Sequence, residues 1–469
     1  MLGHNRVSEA VKKSSFRDRL YLILSALLFM GLFNYVYITF VATRWAYCGM
    51  TYAPPLIQSV LLVWILGLLP IFWMPIRITR PSQVLYWIIY GIIYVPSLFL
   101  PHYMQRQSTQ DLYLLNISFF ISFFIIGLTY KLPLRAIARP KWSMELWWFF
   151  VVVTVVFFYA AVLAVYGGRL QFDGLYNYTL RLASRELDTT FLTDYGHVWI
   201  ANVINPIFMT LGLFKKKPLL FFIGVAGQVL LFLTAAQKMV LLSIALFPLL
   251  FIVLKSKTNI IGLRFLMGLS ILLLVTIALG FYESLPALIV QDLISFRFLS
   301  TAGFMTSVYS DFFSHNPWTY WSHLKGVSAI VEYPYDLSIN YLIGDFLGDP
   351  VNSANAHAWA TDGIAAMGLT GVLVIGLLMV IIFYILDSLA VGLDPKFSGL
   401  SLAMHGIAIS NTSIMSTFLG GGLFFHMIVL WLMPRYIIGV KIKQCTPLSR
   451  KKYFWQSHTP TGELPQDNT

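Results

Sequence analysis

The chain has 469 residues, of which 58% are hydrophobic and only 11% charged, and its mean hydropathy is +0.74. That balance excludes a soluble globular domain and identifies an integral membrane protein, because a spanning helix needs roughly 20 apolar residues to cross about 30 Å of hydrocarbon and the chain has many such runs. The net charge of +12 calls for no nucleic-acid partner, since the basic residues alternate in density from loop to loop as membrane topology requires.

In chain order, spans are predicted at residues 20–43, 55–74, 82–100, 112–130 and 145–166. The first follows a basic segment but outruns the apolar core of a cleaved leader, so it reads as a transmembrane helix. A first long outer loop covers 167–197, followed by spans at 198–214, 218–236, 239–254 and 260–281. A second long outer loop covers 282–361, and spans at 362–386, 397–417 and 423–440 lead to a polar tail at 441–469. About twelve spans thus predict an all-α polytopic membrane protein of one domain, residues 1–469, with both termini and the tail on the cytoplasmic side.

On that topology 24 of the 32 lysines and arginines lie inside. The eight outside are Arg44, Arg106, Arg169, Arg181, Arg185, Lys238, Arg297 and Lys325, and topology does not account for them. Cys48 and Cys445 fall on opposite sides and cannot pair within one chain. The spans carry few acids or bases, which favours chemistry at the outer face over passage through the middle.

Both long loops carry candidate site residues. In the first, Tyr178, Arg181, Arg185 and Asp188 recur at helical spacing, so over 176–189 they share one face. Paired guanidiniums bind phosphate oxygens bidentately, and equally suit lipid headgroups. Lys238 sits in a tight hairpin between spans, either snorkelling to headgroups or meeting a lipid-borne phosphate. In the second loop Arg297, among apolar neighbours, is expected half-buried with an anionic partner.

That loop ends in NSANAHAWATDG, residues 352–363, where His357 stands beside Asn355. Gly363, Gly368 and Gly371 with Ala365 and Ala366 predict a small-residue helix start that packs closely on another helix, capped by Thr361 or Asp362. His357 is then expected on a short loop over that helix N-terminus, neutral, as a base toward a hydroxyl or as a hydrogen-bond donor. The alternative is a histidine bonded to local backbone in a tight turn.

In this order the features resemble the Wzy-type oligosaccharide repeat-unit polymerases of O-antigen and related bacterial surface polysaccharides. The resemblance runs from about residue 160 to 390 through an Arg-bearing outer loop, Lys238 at its hairpin, Arg297, YSDFFSHNP, a YPY element and NSANAHAWATDGIAAMGLTG. O-antigen ligases, of the same broad GT-C-like fold, carry a histidine, then Asn, Ser or Gln, then nine residues and Gly-x-x-Gly. His357 and Gly368-Leu369-Thr370-Gly371 keep that spacing, whereas Ala358 departs from it.

The resemblance implies a GT-C-like fold and metal-independent glycosyl transfer at the periplasmic face of the bacterial inner membrane, with no cofactor. A growing chain would move from undecaprenyl diphosphate to a hydroxyl of an incoming undecaprenyl-diphosphate-linked oligosaccharide. Membrane lipid and a polysaccharide chain-length regulator would be partners. Arg181, Arg185, Arg297 and Lys238, with Arg169, Tyr178 and Asn355, would bind the diphosphate-linked substrate, and His357 would activate the acceptor, with Glu332 and His323 as alternative bases. The rival readings are an O-antigen ligase and a lipid-linked oligosaccharide flippase or other transporter.

Overall fold

The computed structural model describes residues 2–167, 170, 191–255, 260–282, 284–324, 326–349 and 353–435. Its helices are α1 (Phe16–Arg44), α2 (Ile57–Phe72), α3 (Ser82–Met104), α4 (Thr109–Lys131), α5 (Met144–Tyr166), α6 (Thr193–Lys215), α7 (Pro218–Ala235), α8 (Lys238–Lys255) and α9 (Ile261–Leu279). They continue with α10 (Leu285–His315), α11 (Ile339–Phe346), α12 (Trp359–Leu389), α13 (Pro395–Ser401), α14 (Ala403–Ile409) and α15 (Ile414–Leu432). Among the described residues 11 helices are long and apolar enough to cross a membrane, so the protein is an all-α, multi-pass membrane protein.

The bundle has two ends. At the lower end Arg19 donates to the carbonyls of Ile71 and Met74, Arg80 reaches Thr129 and Leu132, and Arg435 reaches Leu389. At the upper end Ala53 bonds Tyr103, and Gln107 bonds Ser310.

The 11 candidate spans are not the set read from the sequence. Residues 397–417, expected as one span, are split between α13, α14 and the start of α15. Conversely, the segment 282–361, expected as a long loop, begins with the 31-residue helix α10. Apolar as it is, α10 has both ends tied to the upper end of the bundle. Asp292 pairs with Arg44 at 3.3 Å, and Asp311 pairs with Arg106 at 3.4 Å. Those acids are separated by roughly 28 Å of helix, so α10 slants from the upper end of α1 along the upper half of α3, where Gly303 meets Pro96 and Thr306 meets Ser97.

Helix α3 is the central strut, and its whole length is buried. Its tyrosines therefore need partners inside the protein. Tyr86 donates to Phe123 O at 3.0 Å, Tyr90 to Gly67 O at 2.8 Å and Tyr94 to Leu66 O at 2.8 Å. Its first turn exposes amides that no helix bond satisfies, and Asp387, from the lower end of α12, takes up the first of them. The Asp387 carboxylate accepts from Ser82 N at 2.9 Å and Ser82 Oγ at 2.7 Å.

Helix α12 is broken. Met367 (φ −152°, ψ 29°) and Gly368 (φ 58°, ψ −137°) leave the helical region, the latter in a conformation open essentially to glycine. The short arm, 359–366, folds back along the long arm, 369–389, so that Gly363 meets Gly371 and Val372. The small residues thus pack on one another within a single hairpin. Ser122 of α4 stitches the two arms, accepting from Trp359 Nε1 at 2.8 Å and donating to Val372 O at 2.8 Å.

The short arm therefore starts deep in the protein and rises toward the upper end. Irregular backbone at that depth is tolerated because protein surrounds it.

A Cβ on Gly371 would collide with the Gly363 carbonyl, whereas one on Gly268 in α9 would meet nothing within 4 Å. Gly371→Ala should destabilise the protein by several times the roughly 1 kcal/mol that Gly268→Ala gains from helix propensity. Unfolding measured in one detergent should give the two variants shifts of opposite sign.

Candidate polar cavity at the upper end

The hairpin tip organises the site. Thr319 and Tyr320 donate their amides to Ala365 O at 2.8 Å and Ala366 O at 3.0 Å, and Trp318 packs on Gly368. To make these bonds the chain takes left-handed backbone at Tyr320 (φ 45°) and Trp321 (φ 62°). For bulky residues such geometry costs on the order of 1–3 kcal/mol each. It turns the next residues, Ser322 and His323, into a cavity of about 510 Å³.

The cavity walls come from four places. Tyr309 projects from α10, Asn355, Ala356 and Thr361 from the re-entrant segment, Thr412, Ser413 and Ser416 from the α14–α15 junction, and Tyr333, Asp336 and Asn340 from the cover between α10 and α11 and from α11 itself. Hydroxyls, amides and tyrosine rings share this surface with Leu324, Ile339 and Ala356, a combination that hydrogen-bonds polyhydroxylated molecules while offering a face to their C–H groups. Burial and the nearby Tyr335 push the Tyr333 phenol up to about 12, so it stays a hydrogen-bond donor. Its hydroxyl donates to Leu337 O at 3.0 Å.

His323 forms the chemically richest corner. Its Nε2 lies 3.3 Å from Oδ1 of Asp362, and its Nδ1 lies 2.9 Å from Thr319 Oγ1. The other Asp362 oxygen accepts the amide of Ile414 at 2.6 Å. Asp362 therefore caps α15, a different helix from the one expected, and holds an imidazole at the same time. Its side chain is 0% exposed and that of His323 6%. An imidazole oriented by a buried carboxylate at the wall of a polar cavity is suited to proton transfer.

Of the residues singled out in the sequence, His323 and Asn355 line this cavity. Glu332 is exposed and precedes the lining residue Tyr333. Arg297 is exposed, not half-buried, with its guanidinium 4.7 Å from the Phe296 ring, on the side of α10 near Tyr47 and Cys48. Lys238 is exposed at the start of α8. Neither cation lines the cavity. Arg169, Tyr178, Arg181, Arg185 and the expected helix 176–189 lie outside the described residues. Among the described residues no three His, Cys, Asp or Glu side chains converge as metal ligands.

His357 is placed otherwise than expected. It precedes the short arm at its buried lower end, 0% exposed, and does not line the cavity. Its Nε2 lies 2.8 Å from Thr306 Oγ1 of α10, which in turn lies 2.7 Å from Ser97 Oγ of α3. The imidazole thus joins the re-entrant segment to two helices. Burial pushes its pKa down to about 3, which favours the neutral form by a cause other than the helix dipole expected from the sequence.

Asp362, Thr319 and Asp336 were not among the sequence candidates as site residues. The histidine and its acid are 39 residues apart, and no local pattern announces the pair. Compared with family models, curated proteins and solved structures, the chain matches none.

A histidine whose folded pKa lies below the ordinary 6.5 binds more protons unfolded than folded. Its contribution to stability is intact above pH 6.5 and is lost as pH falls toward 3. His357→Gln, which can keep a hydrogen bond to Thr306, should fold and should lose less stability than wild type over that interval. Parallel pH profiles for the two proteins would show that His357 is not shielded.

Proposed function

We propose that this protein is a membrane glycosyltransferase that polymerises undecaprenyl-diphosphate-linked oligosaccharide repeat units into an O-antigen type of surface polysaccharide. It would work at the periplasmic face of the bacterial inner membrane. The observation that carries the reading is the hydroxyl- and amide-lined cavity with the His323–Asp362 pair at its wall. The distribution of charge supports the orientation. Arg77, Arg80, Lys131, Arg135, Arg139, Lys215, Lys216, Lys217, Lys396 and Arg435 belong to segments at the end opposite the cavity, which the positive-inside rule assigns to the cytoplasm.

In this reaction the acceptor hydroxyl gives its proton to His323. Its oxygen bonds the anomeric carbon of the growing chain, and the bond from that carbon to the diphosphate breaks, releasing undecaprenyl diphosphate. His323 takes the role of base that the sequence resemblance implied for His357. Cations stabilise the leaving charge, a part proposed for Arg169, Arg181 and Arg185, with Arg297 and Lys238 guiding the lipid diphosphate along the upper surface. A chain-length regulator would act on the same assembly.

Ala358 disfavours the ligase reading. It is 0% exposed, so the polar neighbour of the ligase pattern would have no contact with a ligand at this position. A lipid-linked oligosaccharide transporter is the second reading, favoured by one feature: His405 and His426 touch at 3.0 Å inside the bundle, and ionisable groups in such places often mark transport paths.

Deleting the gene in its host and separating the surface lipopolysaccharide on a gel decides among these. A polymerase predicts core bearing a single repeat unit, and a bare core would support the ligase or the transporter. His323→Gln, expressed to wild-type level in the membrane, should slow chain extension at least 10²-fold, on the scale of a lost general base. Extension at the normal rate would remove His323 from the reaction.

A further inference from the structure

The corner around His323 fixes more than its position. Resting on the reading above, we infer that Asp362 is a positioning residue that selects the tautomer of His323, making Nδ1 the proton-accepting nitrogen, and that Thr319 holds the place of the acceptor hydroxyl there.

The argument starts from Asp362. One of its oxygens accepts the Ile414 amide at 2.6 Å. The other oxygen faces His323 Nε2 at 3.3 Å. A carboxylate only accepts hydrogen bonds, so Nε2 must carry the proton. In the neutral ring Nδ1 is then a lone pair, and the group that faces it is the hydroxyl of Thr319, at 2.9 Å.

That hydroxyl has one proton and two acceptors. Besides Nδ1, it has the carbonyl of Ala365 at 3.2 Å. While it donates to Nδ1, the base is occupied. When it turns to Ala365 O, the Nδ1 lone pair is free for a hydroxyl entering from the cavity that His323 lines. Thr319 is fixed for this exchange, because its own amide is bonded to the same Ala365 carbonyl at 2.8 Å.

The base is therefore covered when the cavity is empty and uncovered when an acceptor competes for it. The imidazolium formed after proton transfer keeps Nε2–H on Asp362, which stabilises it.

The test is a ¹⁵N spectrum of the full chain in nanodiscs, labelled at histidine, with His323→Gln used to assign the His323 signals. Wild type should show a protonated Nε2 and an unprotonated Nδ1. Asp362→Asn offers an amide donor to Nε2 and should move the proton to Nδ1, while Asp362→Glu should restore the wild-type pattern. Thr319→Val should shift the Nδ1 resonance and leave the tautomer unchanged.

A wild-type Nδ1–H tautomer, or one that Asp362→Asn leaves unmoved, would overturn the inference. Chain extension separates this from the wider reading. If the tautomer moves as stated and extension falls at least tenfold in Asp362→Asn with recovery in Asp362→Glu, both stand. If the tautomer moves and extension does not change, the assignment of the base to glycosyl transfer fails while the tautomer control remains.

Discussion

A backbone amide inside a membrane protein must find its acceptor within the protein, and in this molecule two carboxylates on one helix meet that demand for two others. Asp387, at the lower end of α12, receives the first amide of α3, the strut around which the bundle packs. Asp362, in the short arm of the same helix, receives the first amide of α15. Unpaired, each amide would cost roughly 1–3 kcal/mol. The acids thus tie three helices together, and the upper one does so while facing an imidazole in a cavity. Support of the fold and arrangement of the site are functions of the same side chain.

The re-entrant hairpin follows from this arrangement. The short arm brings Asp362 to α15 only because the chain first descends to His357, where Thr306 and Ser97 secure it. The tip then carries Ala365 and Ala366, whose carbonyls hold the strained turn at Tyr320 and Trp321. Strain at the cover is thereby balanced by two backbone bonds, and the geometry of His323 depends on a hairpin that begins some residues below it. Glycine is needed at two places for plain reasons: Gly368 for a backbone angle and Gly371 for a close approach.

Much of the fold was legible in the sequence because hydropathy in a membrane protein is imposed by the solvent. Apolar runs such as 145–166 could only be helices, and basic clusters such as Lys215, Lys216 and Lys217 mark one side. The re-entrant segment was misplaced because Ala, Gly and Thr suit a helix start at any depth, and only the left-handed Gly368 distinguishes a hairpin from a span. Helix α10 was absorbed into a loop because serines and charges interrupt its apolar residues, which is how a helix half-covered by protein reads. The site was half legible. His323 and Asn355 stand out as polar residues in an outer segment, whereas Asp362 resembled an ordinary cap and its partner at Ile414 is 52 residues away.

The slanting α10 bears on how the chain enters the membrane. An insertion apparatus that weighs segments by apolar length would treat its 31 residues as a crossing, while α2 and the divided pair α13 and α14 are short or interrupted. Tallying the described residues by length alone gives 11 candidate crossings, an odd number that would set Arg19 and Arg435 on opposite sides. Yet Arg19 and Arg435 both bond to carbonyls at the lower end. Apolar length alone therefore does not count the crossings of this bundle. The ion pairs from Arg44 and Arg106 fix both ends of α10 at the upper end of the bundle, and both form only once α1 and α3 are in place.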